Sequence, residues 1–364
     1  MDTRLSQIWF NIQENLFPYM EEEIGPLTPK LLQVIQILEL VRVEEYVNQH
    51  AGYVGRPRKH RQSIARAFVA KAILNLPTTK MLIERLQIDK SLRRICGFES
   101  IRELPDESTF SRAFKEFSDQ GLASFVHESL IRATKSAQLI GHVSRDSTEI
   151  KAREKPLSKK TLKTKKAPQK RGRPKKGEIR SKKGPTVLEQ QQSMSYDELM
   201  NSFKTGCDVG CKRNSKGNTE VWIGYKFHLD VIDGDIPVSS LLSSASVHDS
   251  QVAIPLAEIT SRRITNCYDL MDAAYDSPII RNHSRSLEHV DIIDHNPRRG
   301  VKIQFDPAKK VRYNQRSSVE RVNGHLKDNF GGRYVRVRGP AKVFTHLMFG
   351  VLALTADQLL RLVS

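Results

Sequence analysis

Apolar positions recur at helical spacing through the first third of the chain. Thr28 followed by Pro29 predicts a helix start, because the hydroxyl can cap the helix and proline suits its first position. The helix that follows carries Leu31 and Ile35 on one side. The same spacing predicts further helices over about 6–23, 61–75 and 78–90, then one after Asp106 and one from Gly121 to about residue 136.

The two short helices on either side of Gly121 have two interpretations. Short helices joined by a tight turn can form a helix-turn-helix, whose second helix enters the major groove of DNA. An all-helical scaffold that only packs explains the same pattern. The pattern does not choose between them.

From Gln138 the pattern changes to short alternating runs, which are typical of β-strands. The run LIGHVSRDST predicts a first strand that ends by delivering Asp146 to a sheet edge. Two more strands follow over 220–233 and 236–246, joined by a turn at Gly234 and Asp235. The remainder alternates: helix 249–263, a strand ending at Asp272, helix 277–287, a strand over HVDIIDHNP, and helices 313–327 and 343–362.

Size and composition indicate a soluble globular protein large enough for two domains. Of 364 residues, 27% are charged and 38% hydrophobic. No apolar run approaches the roughly 18 residues of a membrane span, and the N-terminus does not resemble a secretion signal. Four cysteines in so long a chain do not predict a disulfide framework. We therefore expect a cytoplasmic protein with no membrane partner.

The net charge of +18 favours a polyanionic partner, and most of it lies in one segment. Residues 151–184 contain 16 Lys and Arg against two Glu. The region 151–192 has no hydrophobic periodicity, so we expect a flexible basic insertion. Within it, RGRPKKG resembles an AT-hook that would present Arg171 and Arg173 to an A·T minor groove. GRPRK at 55–59 is a weaker copy, and a solvated basic tail without base preference is the alternative.

The predicted helix 313–327 carries a line of polar residues that share one face. Tyr313 stands at its N-terminal end, and Arg316, Glu320 and Lys327 follow at helical spacing. Such a helix can present a metal-binding carboxylate between phosphate-binding groups. A salt-bridged surface helix explains the same line.

These four residues, at these spacings, resemble the Y-R-E-K signature of bacterial insertion-sequence transposases of the DDE class. MDAAYDS, residues 271–277, is similar to the family's Asp-x-x-Tyr-Asp-Ser stretch. The resemblance implies a ribonuclease-H-like α/β domain over 136–364, with a mixed five-stranded sheet flanked by helices. It also implies an N-terminal helical region over 1–135 that binds DNA or mediates dimerisation.

The family places three carboxylates around two Mg²⁺ ions, for which Mn²⁺ can substitute. By this resemblance Asp146, Asp272 and Glu320 are the catalytic metal ligands, with Asp146 bridging both ions. Hard cations that prefer oxygen ligands suit in-line phosphoryl displacement. Asp146 can also be a turn residue, and Asp276 competes with Asp272 for its role.

The resemblance also implies residues that hold DNA. Arg316 and Lys327 would contact terminal phosphates, and Tyr313 would lie at the terminal nucleotide. We further expect Lys212, Lys216 and Lys226 to contact the DNA backbone, although solvated lysines are an equal interpretation.

The function implied is cleavage at the ends of an insertion sequence and transfer of the freed 3′-hydroxyl to target DNA. The partners would be double-stranded terminal inverted repeats and target DNA, with a homodimer in the synaptic complex. Alternatives are a nuclease of the same fold, or an inactive basic DNA-binding protein.

Overall fold

The computed structural model describes residues 3–47, 60–156, 184–213, 217–297 and 301–363. The AT-hook-like RGRPKKG, the GRPRK copy and Lys216 lie outside these residues. The described part is an N-terminal helical region followed by a mixed sheet flanked by helices.

The N-terminal region contains eight described α-helices. They are α1 (Thr3–Asn11), α2 (Phe17–Ile24), α3 (Pro29–Val41), α4 (Arg61–Ile73), α5 (Thr79–Ile88), α6 (Lys90–Ile95), α7 (Glu107–Asp119) and α8 (Leu122–Lys135). The predicted start of α3 is confirmed, because the Thr28 hydroxyl accepts a hydrogen bond from the Leu31 amide at 3.3 Å. Asp106 stands at the N-cap of α7, but its side chain makes no capping bond.

The second region alternates strands and helices. The strands are β1 (Leu139–Lys151), β2 (Asp208–Arg213), β3 (Thr219–Ile232), β4 (Ile236–Ser244), β5 (Thr265–Met271) and β6 (Val290–Ile293). The helices are α9 (Val187–Gln191), α10 (Tyr196–Met200), α11 (Ser250–Ser261), α12 (Pro278–Ser286), α13 (Pro307–Tyr313), α14 (Ser317–Asn329) and α15 (Pro340–Arg361).

The sheet is built outward from β1. β3 pairs antiparallel with one edge of β1, β5 pairs parallel with the other, and β6 pairs parallel with β5. The far edge of β3 pairs antiparallel with β4 and, in its first half, with β2. The described sheet thus has six strands, so the predicted five were one too few. The missed strand, β2, is short and mostly exposed, so it carries little apolar signal.

The two regions share one hydrophobic core around α15. This helix contacts α3, α4, α7 and α8 from the N-terminal region, and β4 and α14 from the second. By length and composition α15 could cross a membrane, so the expectation that no apolar run was long enough is wrong for it. However, 83% of its apolar window is buried inside the protein, as in a core helix.

Gly350 lets α15 approach the end of α14 closely. A Cβ at Gly350 would lie 2.4 Å from the Phe330 carbonyl oxygen and 2.9 Å from Leu326 Cδ1. The absence of a side chain at Gly350 therefore allows α15 to pack closely against the end of α14, the helix that carries Glu320.

We expect Gly350→Ala to lower the free energy of unfolding by about 1–3 kcal/mol, because steric overlap outweighs the better helix propensity of alanine. The matched control is Gly324→Ala in α14, where a Cβ would meet no described atom within 4 Å. The free energy of unfolding of that variant should rise by roughly 0.5–1 kcal/mol. Urea unfolding measures both, and shifts of the same sign would contradict the packing described.

Candidate active site

The register of the two central parallel strands brings two aspartates to one sheet edge. Arg145 on β1 pairs with Met271 on β5, and these are the last paired residues of the two strands. Asp146 and Asp272 each follow directly, so they emerge side by side. β1 itself runs on to Lys151, paired with β3. The prediction that Asp146 closes the strand is therefore wrong: it marks where pairing with β5 ends.

Alternation along β1 decides which face Asp146 occupies. Ser144, two residues earlier, donates a hydrogen bond to the Gln315 carbonyl at 3.4 Å. Gln315 belongs to the 3-10 turn Asn314–Arg316 that precedes α14. Asp146 shares this face, so its carboxylate lies on the side that the turn covers.

Arg145 points to the opposite face and forms a buried, two-pronged ion pair. Its Nε and Nη2 donate to the two carboxylate oxygens of Asp230 on β3, at 2.8 and 2.6 Å. Thr260 of α11 donates to the same carboxylate at 2.6 Å. Since a bidentate pair fixes direction as well as distance, it holds β1, β3 and α11 in register beneath the acidic edge. This pair was not predicted from the sequence, although a charged residue inside an apolar strand is the signal for such a pair.

The Arg316 guanidinium lies among the three predicted carboxylates. It is ion-paired with Glu320, one turn later on α14. Burial alone would lower the pKa of Arg316, but Tyr313 and the carboxylates of Asp146, Glu320 and Asp272 raise it above its ordinary value. In this structure one arginine thus neutralises charge between two sheet aspartates and the helix glutamate.

The helix predicted over 313–327 is divided in the structure. Tyr313 ends α13, Arg316 lies in the 3-10 turn, and Glu320 and Lys327 lie on α14. Tyr313 packs against Phe305 with 4.8 Å between ring centroids. The predicted helix is thus helical throughout but not α-helical throughout, because residues 314–316 form a 3-10 turn between α13 and α14.

A fourth acid, Asp249, lies beside these residues. It stands at the N-cap of α11 but makes no capping hydrogen bond. Instead its carboxylate accepts from the Ser147 hydroxyl at 2.8 Å and from Lys226 Nζ at 3.0 Å. From the sequence Asp249 is expected to cap a helix, with a place at the edge of the site as the alternative, because the turn VHDS gives no sign of these partners.

Negative charge is concentrated around Asp146. Burial raises the pKa of Asp146 to about 7, and the nearby charges of Asp272 and Asp249 act in the same direction. Burial likewise raises the pKa of Asp272. Burial and the neighbouring acids thus destabilise the charged form of these carboxylates, and a bound cation would stabilise it.

The predicted DNA-contacting lysines have protein partners in this structure. Lys226 is ion-paired with Asp249. Lys212 and Lys327 both pair with Glu149 of β1, at 2.5 and 3.4 Å. Arg171, Arg173 and Lys216 lie outside the described residues, and DNA contact by any of these side chains stays a prediction.

The side chains are not yet gathered as a complete metal site. Among the described residues, no group of three or more His, Cys, Asp or Glu side chains could hold a metal ion as placed. Asp146 and Asp272 are adjacent, whereas Glu320 is turned toward Arg316.

Comparison with known families identifies the class of protein that carries this sheet. Residues 138–356 match the family model described as "Transposase DDE domain", and residues 20–116 match "Transposase domain (DUF772)". Since the first covers more than half of the chain, the protein belongs to the DDE transposases of insertion sequences. No curated protein and no solved structure matches the chain.

Asp146→Asn should stabilise the protein in EDTA at pH 8. Folding raises the pKa of the Asp146 carboxyl from 3.8 to about 7. The free energy of unfolding therefore falls as pH increases through that interval, because the unfolded state releases the proton first. Asparagine avoids this cost, with an upper limit of roughly 4 kcal/mol. Thermal unfolding against pH measures the gain, which should vanish below pH 4. A variant less stable than wild type at pH 8 would contradict it.

Proposed function

We propose that the protein mobilises an insertion sequence by cutting DNA at the element's ends and joining the freed 3′-hydroxyl to target DNA. Asp146, Asp272 and Glu320 are the catalytic carboxylates. The observation that carries this proposal is the register of β1 and β5, which brings Asp146 and Asp272 together beside the guanidinium that holds Glu320.

The strand arrangement supports a ribonuclease-H-like core. Leaving aside β2, the order β4-β3-β1-β5-β6 has an antiparallel half and a parallel half that meet at β1. The acidic edge lies at the carboxyl end of the parallel half, which is where open α/β sheets bind ligands.

The donor set fits a hard divalent cation. Carboxylate oxygens are the ligands that Mg²⁺ and Mn²⁺ prefer, and the cluster of acidic side chains around Asp146 favours their binding. A pair of such ions, when bound, supplies Lewis-acid stabilisation of the attacking and leaving oxygens. Asp146 and Asp272 would hold these ions from the sheet, with Glu320 as the ligand from α14.

Arg316 is the residue that changes partners. Its planar guanidinium pairs well with either a carboxylate or a phosphate. DNA entering the site offers phosphate oxygens to Arg316, and Glu320 is then released toward the two aspartates. In this proposal Arg316 pairs with Glu320 before DNA enters and with a phosphate afterwards.

The remaining features support the finer assignment. Tyr313, Arg316, Glu320 and Lys327 stand at the Y-R-E-K spacings, so we assign the protein to that cut-and-paste subgroup. Tyr313, at the end of α13, and Lys327, in the last turn of α14, would hold the terminal nucleotides. Two ends must be joined, so a homodimer in the synaptic complex follows, with the basic insertion as an additional DNA contact.

Asp272→Asn tests the proposed chemistry. The variant should bind a duplex carrying the element's inverted repeat as wild type does and lose cleavage by at least about a thousandfold in Mg²⁺. The matched control is Asp276→Asn. Asp276 already accepts hydrogen bonds from Arg281 and the Asn296 amide at 2.9 Å, so this variant should lose stability and keep cleavage. The opposite pattern would transfer the catalytic role to Asp276.

A strand-transfer assay separates transposition from simple nuclease activity. Wild-type protein, pre-cut ends, a target plasmid and Mg²⁺ should yield joined products. Cleavage without joining would instead establish a nuclease of this fold, and an absence of both reactions would leave a DNA-binding protein.

A further inference from the structure

A basic groove begins next to the acidic edge. It has a volume of about 410 Å³ and is lined by residues 149–153 at and just after the end of β1, by residues 332–336 after α14, and by Lys327. Glu149 is three residues beyond Asp146 on a strand, and Lys327 is seven beyond Glu320 on a helix. Both walls therefore place the groove about 10 Å from the carboxylates.

The charge of the groove is strongly positive. Its described lining contains five basic side chains and one acid: Lys151, Arg153, Lys327, Arg333, Arg336 and Glu149. Glu149 is already shared by Lys212 and Lys327, and Arg333 is paired with Asp328. Within the described part of the chain, Lys151, Arg153 and Arg336 have no carboxylate at ion-pair distance.

One wall of the groove alternates in the manner of a strand, although it pairs with no other strand among the described residues. Val335 is buried at 4% exposure and Val337 packs partly against the core. The residues that alternate with these valines face the other way: Tyr334 is 55% exposed, and Arg336 is also exposed. The valines thus fix the backbone while a tyrosine and an arginine project outward.

Both ends of this wall are tied down. The Gly332 amide donates to the Leu326 carbonyl at 3.0 Å at one end. At the other, the Gly339 amide donates to the Glu154 carboxylate at 3.2 Å, and Arg338 donates to the Arg153 carbonyl at 3.1 Å. A groove with fixed walls needs little ordering when a ligand enters.

We propose that this groove binds the DNA strand next to the cleaved bond, with Arg336 on a phosphate and Tyr334 stacked on an unpaired base. This inference rests on the proposed function, because only that function makes the bound DNA strand the one that is cleaved. Exposed aromatic rings among arginines bind single-stranded nucleic acid by base stacking and charge. Since a DNA strand rises about 3.4 Å per nucleotide, the stacked base lies roughly three nucleotides from the scissile phosphodiester.

The test uses the full-length protein and a duplex with a three-nucleotide single-stranded gap that contains 2-aminopurine. Wild type should quench the fluorescence of the unpaired base. Tyr334→Phe keeps the ring and should quench equally, whereas Tyr334→Ala should not quench and should bind about tenfold more weakly. Tyr19→Ala removes a tyrosine of similar exposure, 59%, from α2 and should behave as wild type.

Arg336→Ala tests the phosphate contact separately. The slope of log affinity against log salt should become shallower by about 1, and Arg336→Lys should restore it. The control is Arg321→Ala, an exposed arginine of α14 that pairs with Asp235. It should leave the slope unchanged.

Cleavage of a duplex carrying the inverted repeat distinguishes the two proposals. If wild type cleaves but Tyr334→Ala and Arg336→Ala bind the gapped duplex as wild type does, the groove proposal is overturned and the proposed function stands. If quenching depends on Tyr334 but wild type never cleaves, the groove is retained as a binding site for single-stranded DNA and the proposed function fails. Thermal unfolding of each variant confirms that it is folded.

Discussion

The parallel register between β1 and β5 is the constraint on which the site depends. Pairing ends at Arg145 and Met271, and the next residue on each strand is an aspartate. A slip of one residue would turn Asp146 to the opposite face of the sheet. The buried Arg145–Asp230 pair fixes the neighbouring register of β1 against β3, because a slip there would leave two charges unpaired in the core.

That register concentrates negative charge, and Arg316 is the side chain that balances it. The guanidinium interacts with Asp146 and Asp272 while it is ion-paired with Glu320. It therefore provides between the carboxylates the positive charge that a divalent cation would otherwise supply. In this structure the helix glutamate is paired with Arg316, whereas the two aspartates lie at the sheet edge.

Much of this could be predicted from sequence, because the signals were local. Strand alternation and the cap at Thr28 located most elements, and the spacing of Arg316, Glu320 and Lys327 indicated the family that the comparison established. The features that could not be predicted depend on residues that are distant in the chain. The 3-10 turn before α14 contacts β1 through Ser144, and no local pattern reveals that Asp249 binds Ser147 rather than capping its helix.

The most direct test of the account is the anomalous diffraction of Mn²⁺ in crystals of the protein bound to a duplex of the element's end. We predict Mn²⁺ bound by Asp146 and Asp272, with Glu320 completing the set and Arg316 transferred to a DNA phosphate. Mn²⁺ bound by other residues, or Glu320 still paired with Arg316 in the DNA complex, would contradict the account.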